Sequence, residues 1–163
     1  MDKIYEKVLS ILESNCDATN EQIAVMLDMK VEEIDKIIKK LKDDMVILGN
    51  KCVINWEKTD REFVTASIEL KVTPQRGDGF EKIAERIYQY PEVKSLYLMA
   101  GTYDLNVIIE GKTLQDVSSF VATKLAPMEC VMSTATHFVL KKYKDDGVIY
   151  ADKVEDGRQV ITI

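Results

Sequence analysis

An α+β fold in two parts is predicted by three observations. Residues 4–41 repeat apolar positions at helical spacing three times, with capping and turn residues between the repeats. Residues 46–54 set two short apolar runs around Gly49-Asn50. Residues 64–140 carry four stretches of strand character separated by two helical ones, in the order strand, helix, strand, strand, helix, strand. Together they predict an N-terminal winged helix-turn-helix followed by a C-terminal ferredoxin-like, ACT-like βαββαβ domain. The expected organisation is residues 1–54 for the winged helix-turn-helix, 55–62 for a linker, 63–144 for the ferredoxin-like domain and 145–163 for a C-terminal hairpin extension.

In the first helix Ile4, Val8, Ile11 and Leu12 line one face. Ser14 to Ala18 breaks it. Thr19 followed by Gln22 has capping-box spacing, so a second helix starts there and carries Ile23, Ala24, Met26 and Leu27. Asp28-Met29-Lys30 is a short joint. The third helix, about Val31 to Asp43, places Ile34, Ile37, Ile38 and Leu41 on one face. Val46-Ile47-Leu48 and Cys52-Val53-Ile54 are expected to pair as a hairpin, the wing. The pattern suits DNA binding; a small helical domain that only holds another in place fits it too.

Asn55 to Glu62 is polar apart from Trp56 and has no Gly or Pro, so an ordered arm is compatible with it. Val64, Ala66, Ile68, Leu70 and Val72 alternate with polar residues, a strand with one buried face. Phe80, Ile83, Ala84 and Ile87 mark a helix that stops before Pro91. Leu96 and Leu98 alternate with Ser95, Tyr97 and Met99. Leu105, Val107 and Ile109 do so with Asn106 and Ile108. Thr113 opens a helix that ends near Pro127, and Val131 to Leu140 is the last β-rich run. Two helices cover one sheet face and leave Tyr97, Met99 and Ile108 on the other, which is expected to pack on a second copy; cover by the N-terminal domain is the alternative. The tail, with Asp156-Gly157 and Gln159 to Ile163, is expected to form one more hairpin against a sheet edge.

Between the two middle strands lies Ala100-Gly101-Thr102-Tyr103-Asp104. Gly accepts backbone angles that other residues resist, and Asp can bond its own backbone, so this is a tight corner. It offers free N–H groups, a phenol and a carboxylate in one place, which suits a ligand bearing both an amine and a carboxylate. By itself the corner also reads as a plain hairpin turn.

Bulk numbers exclude several classes. With 46% hydrophobic and 31% charged residues over 163 positions, the composition is that of a soluble globular protein. No apolar run approaches the ~20 residues needed to span a bilayer. Three scattered cysteines, Cys16, Cys52 and Cys130, argue against a disulfide framework or a zinc site and for a cytoplasmic location. An enzyme is not expected. His137, the single histidine, has no nucleophile near it in sequence, and there is no phosphate-binding loop, no metal-ligand spacing and no sign of a cofactor.

The order and spacing of these features resemble the leucine-responsive regulatory protein/AsnC family, the feast/famine regulators. The resemblance covers nearly the whole chain. It rests on Gly101-Thr102-Tyr103-Asp104, on Ile23-Ala24 with Leu27, on Ile37 and Leu41, on Val46-Ile47, and on Thr134 and Thr136 before Val139-Leu140. It implies a transcription regulator that binds double-stranded DNA and forms homodimers assembling further, often to octamers. It also implies an amino acid or related small effector near the glycine corner, where dimers meet. Carried over by position, the effector-binding residues are Gly101, Tyr103, Asp104, Thr134 and Thr136.

Two departures bear on DNA binding. The joint reads Leu27-Asp28-Met29-Lys30 where the family has Leu-Gly-Leu-Ser, so Lys30 stands at the helix cap. Residues 1–60 hold nine lysines, no arginine and thirteen acids. Candidate DNA contacts are Lys30, Glu32, Glu33, Lys36, Lys39 and Lys40. Arginine is the usual reader of guanine, and phosphate neutralisation supplies most non-specific affinity. The expectation is therefore weak, salt-dependent binding that relies on several copies. The rival reading is a sensor of the same fold that has lost DNA binding and acts on a protein partner.

Overall fold

The computed structural model describes residues 3–74 and 79–150. The chain divides into two compact units, Met1–Ile54 and Asn55–Ile163.

The first unit is built from α1 (Lys3–Ser14), α2 (Asn20–Leu27) and α3 (Val31–Asp43). Its core is Val8, Ile23, Ala24, Ile34, Ile37, Ile38 and Leu41, with Ala18 from the α1–α2 connection. Helix α2 starts on a full capping box. The Gln22 N–H donates to Thr19 Oγ1 at 3.3 Å, and the Thr19 N–H donates to Gln22 Oε1 at 2.9 Å. It ends at Asp28, held left-handed at φ 52°, while the Met29 N–H closes on the Ala24 carbonyl at 2.9 Å. Met26, expected inside, is 63% exposed, and its neighbour Val25 is 83% exposed. The short helix turns only Ile23 and Ala24 fully inward.

The expected wing is not formed as a hairpin. No strand is present in residues 46–54, and the backbone there is tied mainly by the Val46 and Ile47 N–H groups, which both donate to the Leu41 carbonyl. Gly49 does not take the positive φ that a tight two-residue hairpin turn demands. Leu48 is 80% exposed, so the run lacks the apolar support that a lone two-stranded ribbon needs.

The second unit opens with an ordered arm, a 3₁₀ turn over Trp56–Lys58. Asn55 Oδ1 caps it by accepting the Glu57 N–H at 3.2 Å. The Arg61 guanidinium lies 4.5 Å from the Trp56 ring centre and 5.6 Å from that of Phe63. Then follow β1 (Val64–Val72), α4 (Phe80–Tyr88), β2 (Val93–Leu98), β3 (Leu105–Gly111), α5 (Leu114–Phe120) with a π turn over Val121–Leu125, and β4 (Val131–Phe138). The sheet is antiparallel in the order β2-β3-β1-β4, the ferredoxin-like arrangement. Strands β1 and β3 send Ala66, Ile68, Leu70, Leu105, Val107 and Ile109 to one face. There they meet Ile83 and Ile87 of α4 and Val117, Phe120 and Leu125 of α5 and its π turn. Thr113 caps α5 reciprocally with Asp116, as its place in the sequence predicts.

The other sheet face carries Ser67, Glu69, Asn106 and Ile108. Tyr97 is 55% exposed. Leu98, expected to point inward with Leu96, is 60% exposed because it ends an edge strand. Beyond β4, β5 (Lys144–Asp145) pairs with β6 (Val148–Ile149) through Asp146 and Gly147, at φ 48° and 81°. Val148 and Ile149 are thus paired with the segment before them. The expected partner strand and its Asp156-Gly157 turn lie outside the described residues.

Candidate functional site

The corner between β2 and β3 is built by main-chain bonds that continue the ladder. The Met99 N–H donates to the Asp104 carbonyl at 2.8 Å, and the Asp104 N–H donates to the Leu70 carbonyl at 2.9 Å. The Asp104 side chain then reaches across to β1, where its Oδ2 accepts the Val72 N–H at 2.8 Å. Val72 is also where the β1–β4 pairing slips register. At such a bulge a strand N–H loses its ladder partner, and the carboxylate supplies one. One oxygen of Asp104 therefore fixes the corner to the middle of the sheet.

Tyr103 folds back over the uncovered face. Its Oη accepts from Asn106 Nδ2 at 3.3 Å, and Asn106 Oδ1 accepts from Ser67 Oγ at 3.1 Å. Further along this face His137 Nε2 lies 3.5 Å from Glu69 Oε1. Gly101 is under no constraint from its own chain. A Cβ there would meet nothing within 4 Å, and its φ is not in the left-handed region.

Thr134 and Thr136 pair with Leu70 and Ile68 of β1. Directly paired residues share a sheet face, so both threonines point to the helix side. Leu105, Leu70 and Thr134 form one row across β3, β1 and β4, about 10 Å from end to end at ordinary strand spacing. The structure thus puts Gly101, Tyr103 and Asp104 together. It sets the two threonines two strands away, on the face opposite the Tyr103–Asn106–Ser67 chain. Asn106 and Ser67 went unnoticed in the sequence. Their signal was a short polar residue between inward-facing apolar ones in two strands that pair.

In the first unit, the Lys30 N–H donates to Glu33 Oε2 at 3.3 Å, so Glu33 closes the α3 start that Lys30 cannot cap with an acceptor of its own. Asn20 Nδ2 donates to Asp35 Oδ1. Lys40 Nζ lies 5.5 Å over the Tyr5 ring. Glu32, Lys36 and Lys39 are exposed along the face away from the core. Acids thus occupy the first turn of α3, and its lysines the later turns. Among the described residues, no group of His, Cys, Asp and Glu is placed to hold a metal, and no helix is long and apolar enough to cross a membrane.

A helical unit is joined to a ferredoxin-like sheet with a glycine corner between its middle strands. Comparison with known proteins is specific. Residues 65–149 match the Lrp/AsnC ligand binding domain. The chain is 47% identical to the uncharacterized HTH-type transcriptional regulator YugG of Bacillus subtilis (strain 168), over 98% of this chain and 99% of that one. It is 32% identical to the uncharacterized HTH-type transcriptional regulator PF1734 of Pyrococcus furiosus, over 90% and 95%. Among solved structures, the Neisseria meningitidis transcriptional regulator NMB0573 in complex with L-Met superposes with a TM-score of 0.71 at 23% identity, over 89% and 93%, and so shares the fold. The chain belongs to the Lrp/AsnC family.

Proposed function

We propose that the chain is an Lrp/AsnC-type transcription regulator. Residues 1–54 act as a helix-turn-helix on double-stranded DNA, 55–62 as a linker, 63–144 as the effector and assembly domain, and 145–163 as an extension. The relatives' names as HTH-type regulators and the family match support this reading. A DNA target puts the protein in the cytoplasm. The effector is an amino acid or a close relative, bound at the glycine corner where assembled copies meet. The chain forms homodimers that associate further, up to an octamer.

The observation that carries the effector site is the corner itself. Gly101 is required by nothing in its own protomer, and Asp104 spends one oxygen on Val72. A small ligand carboxylate could approach the bare backbone at Gly101, while Asp104 Oδ1 takes its ammonium. Tyr103 borders the same place. A thermal-shift titration against the amino acids tests this. Stabilisation that disappears in Gly101→Ala, in a variant that melts like the parent without ligand, is the expected result. An unchanged response in Gly101→Ala counts against the corner.

A second reading draws on one feature, the acidic first turn of α3 at Glu32 and Glu33. A sensor with weak DNA binding that acts on a protein partner would tolerate it. Selection from random duplexes separates the two, since only a regulator enriches a near-palindromic site.

A further inference from the structure

On the reading of residues 1–54 as a helix-turn-helix that binds DNA, on which the inference rests, we propose that Glu32 is the residue of α3 that selects a base, and that the base is cytosine. In such complexes the second helix of the pair lies in the major groove with its N-terminal residues on the base edges. Here that helix is α3, and its first turn holds two acids, Glu32 and Glu33.

Their surroundings set them apart. Glu33 Oε2 accepts the Lys30 N–H at 3.3 Å and so closes the helix start. Further along, Asp35 Oδ1 accepts from Asn20 Nδ2 and ties α3 to α2. Glu32 is exposed and makes no hydrogen bond or ion pair among the described residues. Glu32, Lys36 and Lys39 follow one another at i, i+4 and i+7, along the stripe opposite the buried Ile34, Ile37, Ile38 and Leu41. Glu32 is the N-terminal end of that outward stripe.

Charge then decides what Glu32 meets on a duplex. An ionised carboxylate only accepts hydrogen bonds, so phosphates repel it. On the major-groove edge guanine presents two acceptors, and thymine an acceptor and a methyl group. Adenine offers an amine beside its N7 acceptor. Cytosine offers its N4 amine with no acceptor of its own beside it. Cytosine is therefore the base that gives a lone carboxylate a donor without a repelling neighbour. Lys36 and Lys39, further along the stripe, offset the repulsion between the acid and the backbone.

The test is selection from random duplexes by the full chain, repeated with Glu32→Gln and Glu32→Ala. Affinities are then measured for the enriched site and for versions changed at one base pair. The parent should enrich a site with one fixed cytosine in each half. Replacing that C·G pair should weaken binding about tenfold, the scale of one mismatched pair. Glu32→Gln should move the preference there to adenine, whose N6 and N7 a carboxamide meets together. Glu32→Ala should erase the preference at that position and leave the others as they were. Because Glu32 bonds nothing among the described residues, both variants should melt near the parent. A cytosine kept unchanged in both variants overturns the assignment. So does an equal rise in affinity for every duplex, which would make Glu32 a source of repulsion and nothing more. No enriched site in the parent overturns the DNA-binding reading itself, and the assignment with it.

Discussion

Asp104 combines two roles that substitution can separate. Its Oδ2 holds the Val72 N–H, on a residue only 5% exposed. Asp104→Ala leaves that N–H without its partner and should cost about 1–3 kcal/mol in a denaturant melt. Asp104→Asn keeps an acceptor oxygen, so it should retain most of that stability and still lose the ammonium of a ligand. If both variants melt alike, the bond to β1 does not matter to the fold. Asp28 is the second informative residue. It sits at φ 52°, where an L side chain is strained and glycine is not. Asp28→Gly should raise the stability of the first unit by about 1 kcal/mol, the lower end of the cost of a left-handed L-residue; a fall would show that the Asp side chain is needed at the joint. The capping pair Thr19–Gln22 was legible in the sequence because both partners lie within one turn. The Asp104–Val72 bond spans 32 residues, and no local pattern announces it.

Among elements, helices and central strands were legible because burial imposes a period on them. Every expected core position of α3, Ile34, Ile37, Ile38 and Leu41, is buried. The wing failed for a reason of the same kind. Leu48 and Val53 have the composition of strand residues, but they are 80% and 51% exposed. Composition can suggest a hairpin, and only packing can hold one. Helix α3 carries the prediction at this scale. Lys36 and Lys39 are exposed in its later turns, behind the acidic first turn. If they meet phosphates, replacing either by alanine should weaken binding to all duplexes alike. It should also lower the slope of log affinity against log salt by about 1 for each phosphate no longer neutralised. A variant with the parent's salt slope would show that the lysine is only a solvated surface residue.

For the whole molecule, the order of strands and helices sufficed to anticipate the sheet β2-β3-β1-β4 and the face its helices cover. What meets the other face could not be inferred the same way, because one chain's pattern says only that Tyr97 and Ile108 are too apolar for it. The structure adds a polar element, the Tyr103–Asn106–Ser67 chain and the Glu69–His137 pair, so this face is mixed rather than greasy. A mixed face suits reversible contact between copies better than a permanent core. Tyr97 is its exposed aromatic, at 55%, which makes it the anchor to test. Tyr97→Asp places an unpaired charge where a second copy would bury it, while in the single protomer the same charge sits in water. Its melting should therefore stay near the parent's at concentrations where the parent is dissociated. Light scattering should show association weakened by about a hundredfold or more, or about 2.8 kcal/mol at about 1.4 kcal/mol per decade. The corner response should weaken with it, because that site needs two copies. An assembly untouched by Tyr97→Asp would mean that copies meet elsewhere, and the effector site would then have to be sought at that other contact.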